Sequence, residues 1–382
     1  MLAYLKFERR SSDNPWLDLA RALAILLVLL RHGQRAIDPQ LDNTPSLLGT
    51  FFLNGWIGVD LFFVLSGYLI TSHLIRGYTS TGSIDVRGYF AGRALRIVPA
   101  YFATIALIVA GVFPLYHIAG DQLGLRIAYH MAFLQDYLPS NFNIAFWSLG
   151  VEEKFYVAAP ILVWVCLSQR RLWQKMTVVL ALATLSIMLR TVVFARMPGT
   201  INYDMFFAFL RSPFHLCLES LAAGVAVALF HADRNQPSDR KLGAGLMAGA
   251  FIALLLWLPS EDFMSSIGWR DVVIQPIHLA GLFAFFVNGA ILMAKVALPF
   301  EPFVRAAARL SYTLYLVHIP LIPLSLSTAG GGDGSLGRFW IAYILLSICA
   351  ALVLHYFVEK PFLLLKARIK SSSVAGRAVA PA

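Results

Sequence analysis

Residues 17–33 read LDLARALAILLVLLRHG, an apolar run with a guanidinium near its start, at Arg21, and an imidazole near its end, at His32. An apolar block of this kind approaches the roughly 20 residues that a helix needs to cross a hydrocarbon core of about 30 Å. A helix lying on a soluble core would instead confine its apolar residues to one stripe. As a helix, the segment sets Arg21 and His32 about three turns apart on nearly the same face. Their separation along the axis is roughly 16 Å, at about 1.5 Å per residue. Charged groups at that depth need a partner, a water-filled cavity or a task.

The whole chain repeats the pattern. Its 382 residues are 58% hydrophobic and 14% charged, with a mean hydropathy of +0.69. That is too little charge to cover the surface of a soluble domain of this size. The predicted architecture is all-α, a polytopic membrane bundle of about ten transmembrane helices. The spans fall at roughly 16–37, 54–76, 94–116, 147–168, 174–195, 211–231, 242–259, 273–295, 307–327 and 338–362. Residues 122–138 are too short to cross and predict a re-entrant or interfacial helix. Three regions follow: a cytoplasmic segment at 1–15, an integral-membrane domain at 16–365, and a cytoplasmic tail at 366–382 expected to lack fixed structure. The glycine-rich stretch 329–337 reads as a flexible turn.

A signal peptide would also place Lys6, Arg9 and Arg10 before an apolar run. However, Asp18 and Arg21 interrupt its start and no small-residue cleavage site follows Leu30, so the segment reads as a retained first helix. With the N-terminus inside, the inner segments hold 21 of the 31 Lys and Arg, including Arg76, Arg93, Arg96, Arg170, Arg171, Lys241, Arg305 and Lys360. The outer segments hold eight: Arg31, Arg35, Arg126, Arg190, Arg196, Arg211, Arg270 and Arg338. The excess predicts both termini in the cytoplasm. A formal charge of +10 has no basic run long enough to follow a phosphate backbone, so nucleic acid is not an expected partner. Cys166, Cys217 and Cys349 fall inside spans without metal-ligand spacing and read as small buried side chains; no metal is expected.

The polar residues inside the spans carry the functional signal. Asp60, in GVDLFFVLSGYLI, needs a partner, and either an arginine or His32 would serve; a structural ion pair and a catalytic role both remain open. Arg93 and Arg96 stand at i and i+3, neighbours on one helix face at the inner boundary. They suit membrane anchoring or docking of phosphate oxygens by their planar forks. Glu152 and Glu153 open the fourth span in WSLGVEEKFY. Adjacent helix positions diverge by about 100°, so one faces the bundle while the other pairs with Lys154 or reaches headgroups. Ser311, Tyr315 and His318, at i, i+4 and i+7, form a polar stripe that should look into the bundle, for substrate or for interhelical hydrogen bonds.

Taken in order, these segments resemble the integral-membrane acyltransferase family 3, whose members include O-antigen, exopolysaccharide and nodulation-factor acetylases and macrolide acyltransferases. The resemblance rests on Arg21 and His32 with ten residues between them and the 58–70 block. It continues through Arg93, Arg96 and Pro99, WSLGVEEKFY at 147–156, SYTLYLVHIP at 311–320 and VEKPF at 358–362. One departure is Gly150, where many relatives carry Ser or Thr. Another is that many relatives add a C-terminal hydrolase-like domain that this sequence does not show, which favours direct delivery to an acceptor near the outer surface. The resemblance implies transfer of an acyl group, most often acetyl, from cytoplasmic acetyl-CoA to a sugar hydroxyl of a surface or exported glycan, in a bacterial cytoplasmic membrane.

On this basis Arg93 and Arg96, with Arg21, are expected to hold the coenzyme at the inner mouth. His32 would act as general base or as an acylated nucleophile, and Glu152, Glu153 and Asp60 would orient the imidazole or the sugar. The rival class is a transporter, which also uses intramembrane charges around a central path.

Overall fold

The computed structural model describes residues 14–37, 47–197, 199–234, 238–258, 267–330 and 335–378. Residues 1–13, with the basic N-terminal residues, and 331–334 of the glycine-rich turn lie outside the described residues. Among the described residues the secondary structure is helical throughout. In chain order the helices are α1 (Pro15–Ile37), α2 (Leu47–Leu53), α3 (Gly58–Thr81), α4 (Val86–Val109), α5 (Leu123–Met131), α6 (Trp147–Ser168), α7 (Leu172–Arg196) and α8 (Tyr203–Phe206). They continue with α9 (Glu219–Arg234), α10 (Arg240–Trp257), α11 (Gln275–Leu292), α12 (Glu301–Val317), α13 (Ile322–Ala329), α14 (Ser335–Leu354) and α15 (Lys360–Ala378).

Among the described residues, six helices are long and apolar enough to cross a membrane: Leu47–Thr81, Val86–Val109, Leu172–Arg196, Arg240–Trp257, Arg270–Leu292 and Ser335–Ile369. A seventh span results if Glu301–Val317 and Ile319–Ala329, bent by 64° at their junction, count as one. About ten were expected. The remaining three are helices as well, and each falls short for its own reason. Helix α1 carries Asp18, Arg21, Arg31 and Arg35; α6 carries Glu152, Glu153 and Lys154; α9 is only 16 residues long. The expected short element between the third and fourth spans is α5, nine residues long. The last helix continues in its backbone to Ala378, into the tail expected to lack structure. No proline stands between Pro361 and Ala378, and Lys, Arg and Ala favour a helix locally.

Large apolar side chains face outward around the bundle: Leu180 is 66% exposed, Leu256 72%, Ile341 63% and Phe357 79%. Water would penalise so many exposed apolar groups, whereas acyl chains would cover them. With the apolar helices, this girdle makes the chain a multi-pass membrane protein.

Helix α3 is the central post, packed against α1, α6, α9 and α11. Its approach to α9 is set by two glycines. A Cβ added at Gly67 would lie 2.2 Å from the Leu221 carbonyl oxygen, and one at Gly224 would lie 2.1 Å from that of Val64. Small residues let backbones meet in lipid, where dispersion contacts rather than hydrophobic exclusion hold helices together. On its other side α3 is reached by α1, which also packs on α12. Helix α1, the carrier of Arg21 and His32, thus runs between the central post and the bent helix.

Candidate active site

The start of α1 is pinned by its own sequence. Asn14 caps it, its Oδ1 accepting from the Trp16 amide at 2.9 Å, and Pro15 takes the first helical position, where a missing N–H is harmless. Asn14 Nδ2 also donates to the Ala290 carbonyl at 2.9 Å, and Trp16 Nε1 to that of Val296 at 3.0 Å. One turn on, Asp18 pairs with Arg21 at 2.7 Å. Further along, Arg31 turns inward and donates to the Leu53 carbonyl at 2.9 Å. The face bearing Arg21 and His32 is thereby fixed in rotation.

Two cavities lie along that face. The larger, about 410 Å³, is lined by Arg21, Arg76, Arg93 and Arg96, with His73 among them, and deeper in by Ser66, Glu152, Tyr156, Ser311 and Tyr315. The smaller, about 60 Å³, is lined by His32 with Arg31, Arg211, Tyr203 and Trp147. Val59 and Tyr315 line both. They form the partition between a cation-rich compartment and the one that holds the imidazole. Arg21 and His32 therefore face two chambers separated by two side chains.

Glu152 faces the larger cavity. Its carboxylate accepts from Ser66 Oγ at 2.7 Å and from the Tyr156 hydroxyl at 2.8 Å. Arg93 lies over the Tyr156 and Tyr89 rings at 5.6 and 5.9 Å, so the aromatic faces steer a cation at the cavity mouth. Glu153 points elsewhere, lines neither cavity, and has a buried Oε1 without a hydrogen bond. Of the two outlets open to the second glutamate, Lys154 or headgroups, the pairing with Lys154 is not formed. Lys154 Nζ instead reaches Asp136 at 2.5 Å and the Phe133 carbonyl at 2.6 Å, tying α6 to the segment after α5.

Asp60 also lines neither cavity. Of the two partners open to it from the sequence, the structure supplies an arginine. Arg211 grips it with both ends of its fork, at 3.1 and 2.7 Å, and Ser220 Oγ adds a third bond at 3.1 Å. The same guanidinium sits over Trp56 and Trp147, 5.1 and 5.3 Å from the ring centroids, and lines the chamber of His32. Asp60 thus reaches that chamber only through Arg211.

On α12 the stripe of Ser311, Tyr315 and His318 is buried in the bundle, as the spacing implied. Tyr315 donates to the Ala145 carbonyl at 2.7 Å and lies 2.6 Å from Ser148 Oγ. His318 stands where the helix bends, just before Pro320. A proline has no N–H for the carbonyl four residues back, which here is that of Leu316. Asn143 Nδ2 supplies the missing donor at 3.0 Å, while its Oδ1 accepts from the Ala145 amide, also at 3.0 Å. The break is thus satisfied from the entry of α6, and the His318 ring is set 5.0 Å, centroid to centroid, from that of His32.

The sequence marked Arg21, Arg93, Arg96, Glu152, Ser311 and Tyr315, which the fold gathers around one cavity, and His32, which it places beyond the partition. It did not mark Ser66, His73, Arg76 and Tyr156 in the larger cavity, nor Tyr203 and Arg211 in the smaller. The only signal for Arg211 was a lone cation beside an apolar span, which was taken for an outer-loop charge.

A family model described as an acyltransferase domain, that of acyltransferase family 3, matches residues 14–358. OatA of Listeria monocytogenes, named a peptidoglycan O-acetyltransferase, is 28% identical over 342 residues, 81% of this chain and 50% of that protein. YrhL of Bacillus subtilis, named as a candidate peptidoglycan O-acetyltransferase, is 28% identical over 373 residues, 91% of this chain and 54% of its own length. The chain therefore spans about half the length of the curated relatives it matches. No solved structure matches. With the match running from the cap of α1 to the last turn before Glu359, this chain belongs to acyltransferase family 3.

Proposed function

We propose that the chain is a membrane-bound O-acyltransferase that moves an acetyl group from acetyl-CoA to a hydroxyl of a glycan. The observation that carries this is the pair of chambers meeting at Val59 and Tyr315. One offers four guanidiniums to an anionic donor, and the other offers an imidazole to an acceptor. Relatives named for O-acetylation of peptidoglycan support a cell-wall or exported glycan as acceptor. Arg93, Arg96, Arg76 and Arg21 hold the phosphates of the coenzyme, for which planar forks are suited. The pantetheine arm runs up the larger cavity past Glu152 and Ser311, and brings the thioester carbonyl against the partition. His32 takes the proton of the acceptor hydroxyl, whose oxygen attacks the carbonyl carbon. The C–S bond breaks, and the thiolate leaves with a proton.

In the same proposal α1, α6 and α9 cross the membrane with the six apolar spans and the bent pair as a seventh. That makes ten spans with both termini in the cytoplasm, in a bacterial cytoplasmic membrane. In α1 and α6, Arg21, Arg31 and Glu152 line the cavities while Asp18 and Lys154 pair inside the bundle, so these charges are kept from lipid.

The test uses the protein in lipid nanodiscs with labelled acetyl-CoA and a soluble glycan acceptor, reading acceptor-dependent release of free coenzyme thiol. His32→Ala, at unchanged thermal stability, is expected to lower that release by about 10²–10⁴-fold, the usual contribution of a general base. Release at the wild-type rate removes His32 from the chemistry. Uptake of a solute into vesicles without any acyl donor, and no thiol release, would turn the site into a transport path.

A further inference from the structure

We infer that His318 is a positioning residue that holds His32 in the one tautomer able to act as a base, an inference that rests on the acyl-transfer role proposed for His32. The geometry is a chain of four contacts. His318 Nδ1 lies 2.9 Å from the Tyr315 carbonyl oxygen and 3.1 Å from that of Leu314. His318 Nε2 lies 3.2 Å from His32 Nδ1, which lies 3.0 Å from the Val28 carbonyl oxygen.

Carbonyl oxygens only accept, and they assign every proton in this chain. Two of them face His318 Nδ1, so that nitrogen carries the hydrogen. In the neutral ring Nε2 is then a lone pair and accepts. His32 Nδ1 faces that lone pair and a third carbonyl, so it too must carry its hydrogen and donates to both. The reverse assignment would set two bare nitrogens against three carbonyl oxygens. His32 Nε2 is what remains: unprotonated, without a hydrogen bond among the described residues, and not among the buried polar atoms sealed without a partner. His32 lines the smaller chamber. A free lone pair in that chamber is what proton abstraction from an acceptor hydroxyl requires.

The second ring also matters during the reaction. When the acceptor's proton arrives at His32 Nε2, the ring becomes a cation and its Nδ1–H a stronger donor. The Val28 carbonyl and His318 Nε2 are already in place to accept it. His318 Nε2 only accepts this hydrogen bond in the step, while its Nδ1–H stays on the Leu314 and Tyr315 carbonyls. The proton on His32 Nε2 passes to the departing thiolate, so both imidazoles return to their starting states. The arrangement depends on the bend of α12, since the Pro320 break and its Asn143 brace set the register of His318.

The experiment compares His318→Leu with His318→Gln in nanodiscs, the glutamine side-chain oxygen reaching the place of Nε2. His318→Leu should lower kcat by about 10–100-fold, the common effect of removing a partner that orients a functional histidine, with KM for acetyl-CoA unchanged. His318→Gln should recover most of it. A second reading needs no activity: ring-¹⁵N histidine spectra of the wild-type protein, with the His32 signals identified by their loss in His32→Gln. They should show His32 protonated at Nδ1 and bare at Nε2. The inference is overturned by a wild-type kcat in His318→Leu, by equal damage in both variants with a matching loss of thermal stability, or by a His32 proton on Nε2. A wild-type protein that transfers no acetyl at all sinks the proposed function, and the spectra then decide the tautomer alone.

Discussion

Asp60 and Glu152 look alike in the sequence, each a carboxylate a turn or so into an apolar block, and the fold gives them opposite tasks. Both oxygens of Asp60 are taken by the Arg211 fork, with Ser220 added. Glu152 has one hydroxyl on each oxygen and looks into the larger cavity. Removing one member of a buried ion pair leaves the other charge uncompensated, at about 3–5 kcal/mol. Asp60→Ala is therefore expected to lower the thermal unfolding midpoint markedly, together with activity, because Arg211 loses its place beside His32. Glu152→Gln keeps the shape and the potential for both hydrogen bonds, so the midpoint should hold while kcat falls by about 10²-fold or more. A stable, inactive Asp60→Ala beside an unstable Glu152→Gln would exchange the two roles. The difference was not readable from the sequence, because the Arg211 that claims Asp60 is 151 residues away and, although Tyr156 is local to Glu152, its second partner Ser66 is 86 residues away.

Single elements explain why the local pattern was readable and the site only in part. Helix periodicity puts Arg21 and His32 on one face of α1, and their rough separation follows from the rise alone. It says nothing of what stands between them, since Val59 and Tyr315 come from α3 and α12. The α12 stripe was equally plain as a spacing of i, i+4 and i+7. Its end was drawn straight through Pro320, however, where the structure turns by 64°. The proline was a visible cue for a break. What could not be seen was the remedy, a side-chain amide from Asn143, 173 residues earlier, donating to the orphaned Leu316 carbonyl. Asn143→Ala removes that donor and the cap on the entry to α6, and should destabilise the protein by about 1–3 kcal/mol. It should also lower kcat by freeing the bend that registers His318. Asn143→Asp, which keeps the cap but not the donor, should recover stability only in part. Thermal unfolding and turnover measured on the same preparations check both statements.

At the scale of the whole molecule, the charge asymmetry that sets orientation becomes sharper once burial is known. Arg31, Arg126 and Arg190 were counted as outer-loop charges, yet each is buried: Arg31 bonds the Leu53 carbonyl, Arg126 those of Ala119 and Asn141, and Arg190 pairs with Glu219 at 2.6 Å. Arg211 is held by Asp60. Cations used inside the bundle do not anchor loops to either leaflet. Setting them aside leaves the inner excess larger than the bare count suggested. In the proposed orientation, the mouth of the larger cavity, with Arg76, Arg93 and Arg96 beside the α3–α4 turn, lies on the side where the proposed donor, acetyl-CoA, is made. That placement is open to a direct check at the two ends of α4. Ser83 is exposed in the turn before it, and Gly120 is exposed in the segment after it with no atom within 4 Å of an added Cβ. On a Cys349→Ala background, which removes the one exposed cysteine among the described residues, single cysteines are placed at Ser83 or Gly120. A membrane-impermeant maleimide applied to intact cells should label Gly120→Cys at once, and Ser83→Cys only after the membrane is opened. The opposite pattern would turn the arginine mouth outward, away from any coenzyme A thioester. The chamber holding His32 would then face the cytosol, and the direction of acyl transfer argued from the two cavities would be lost.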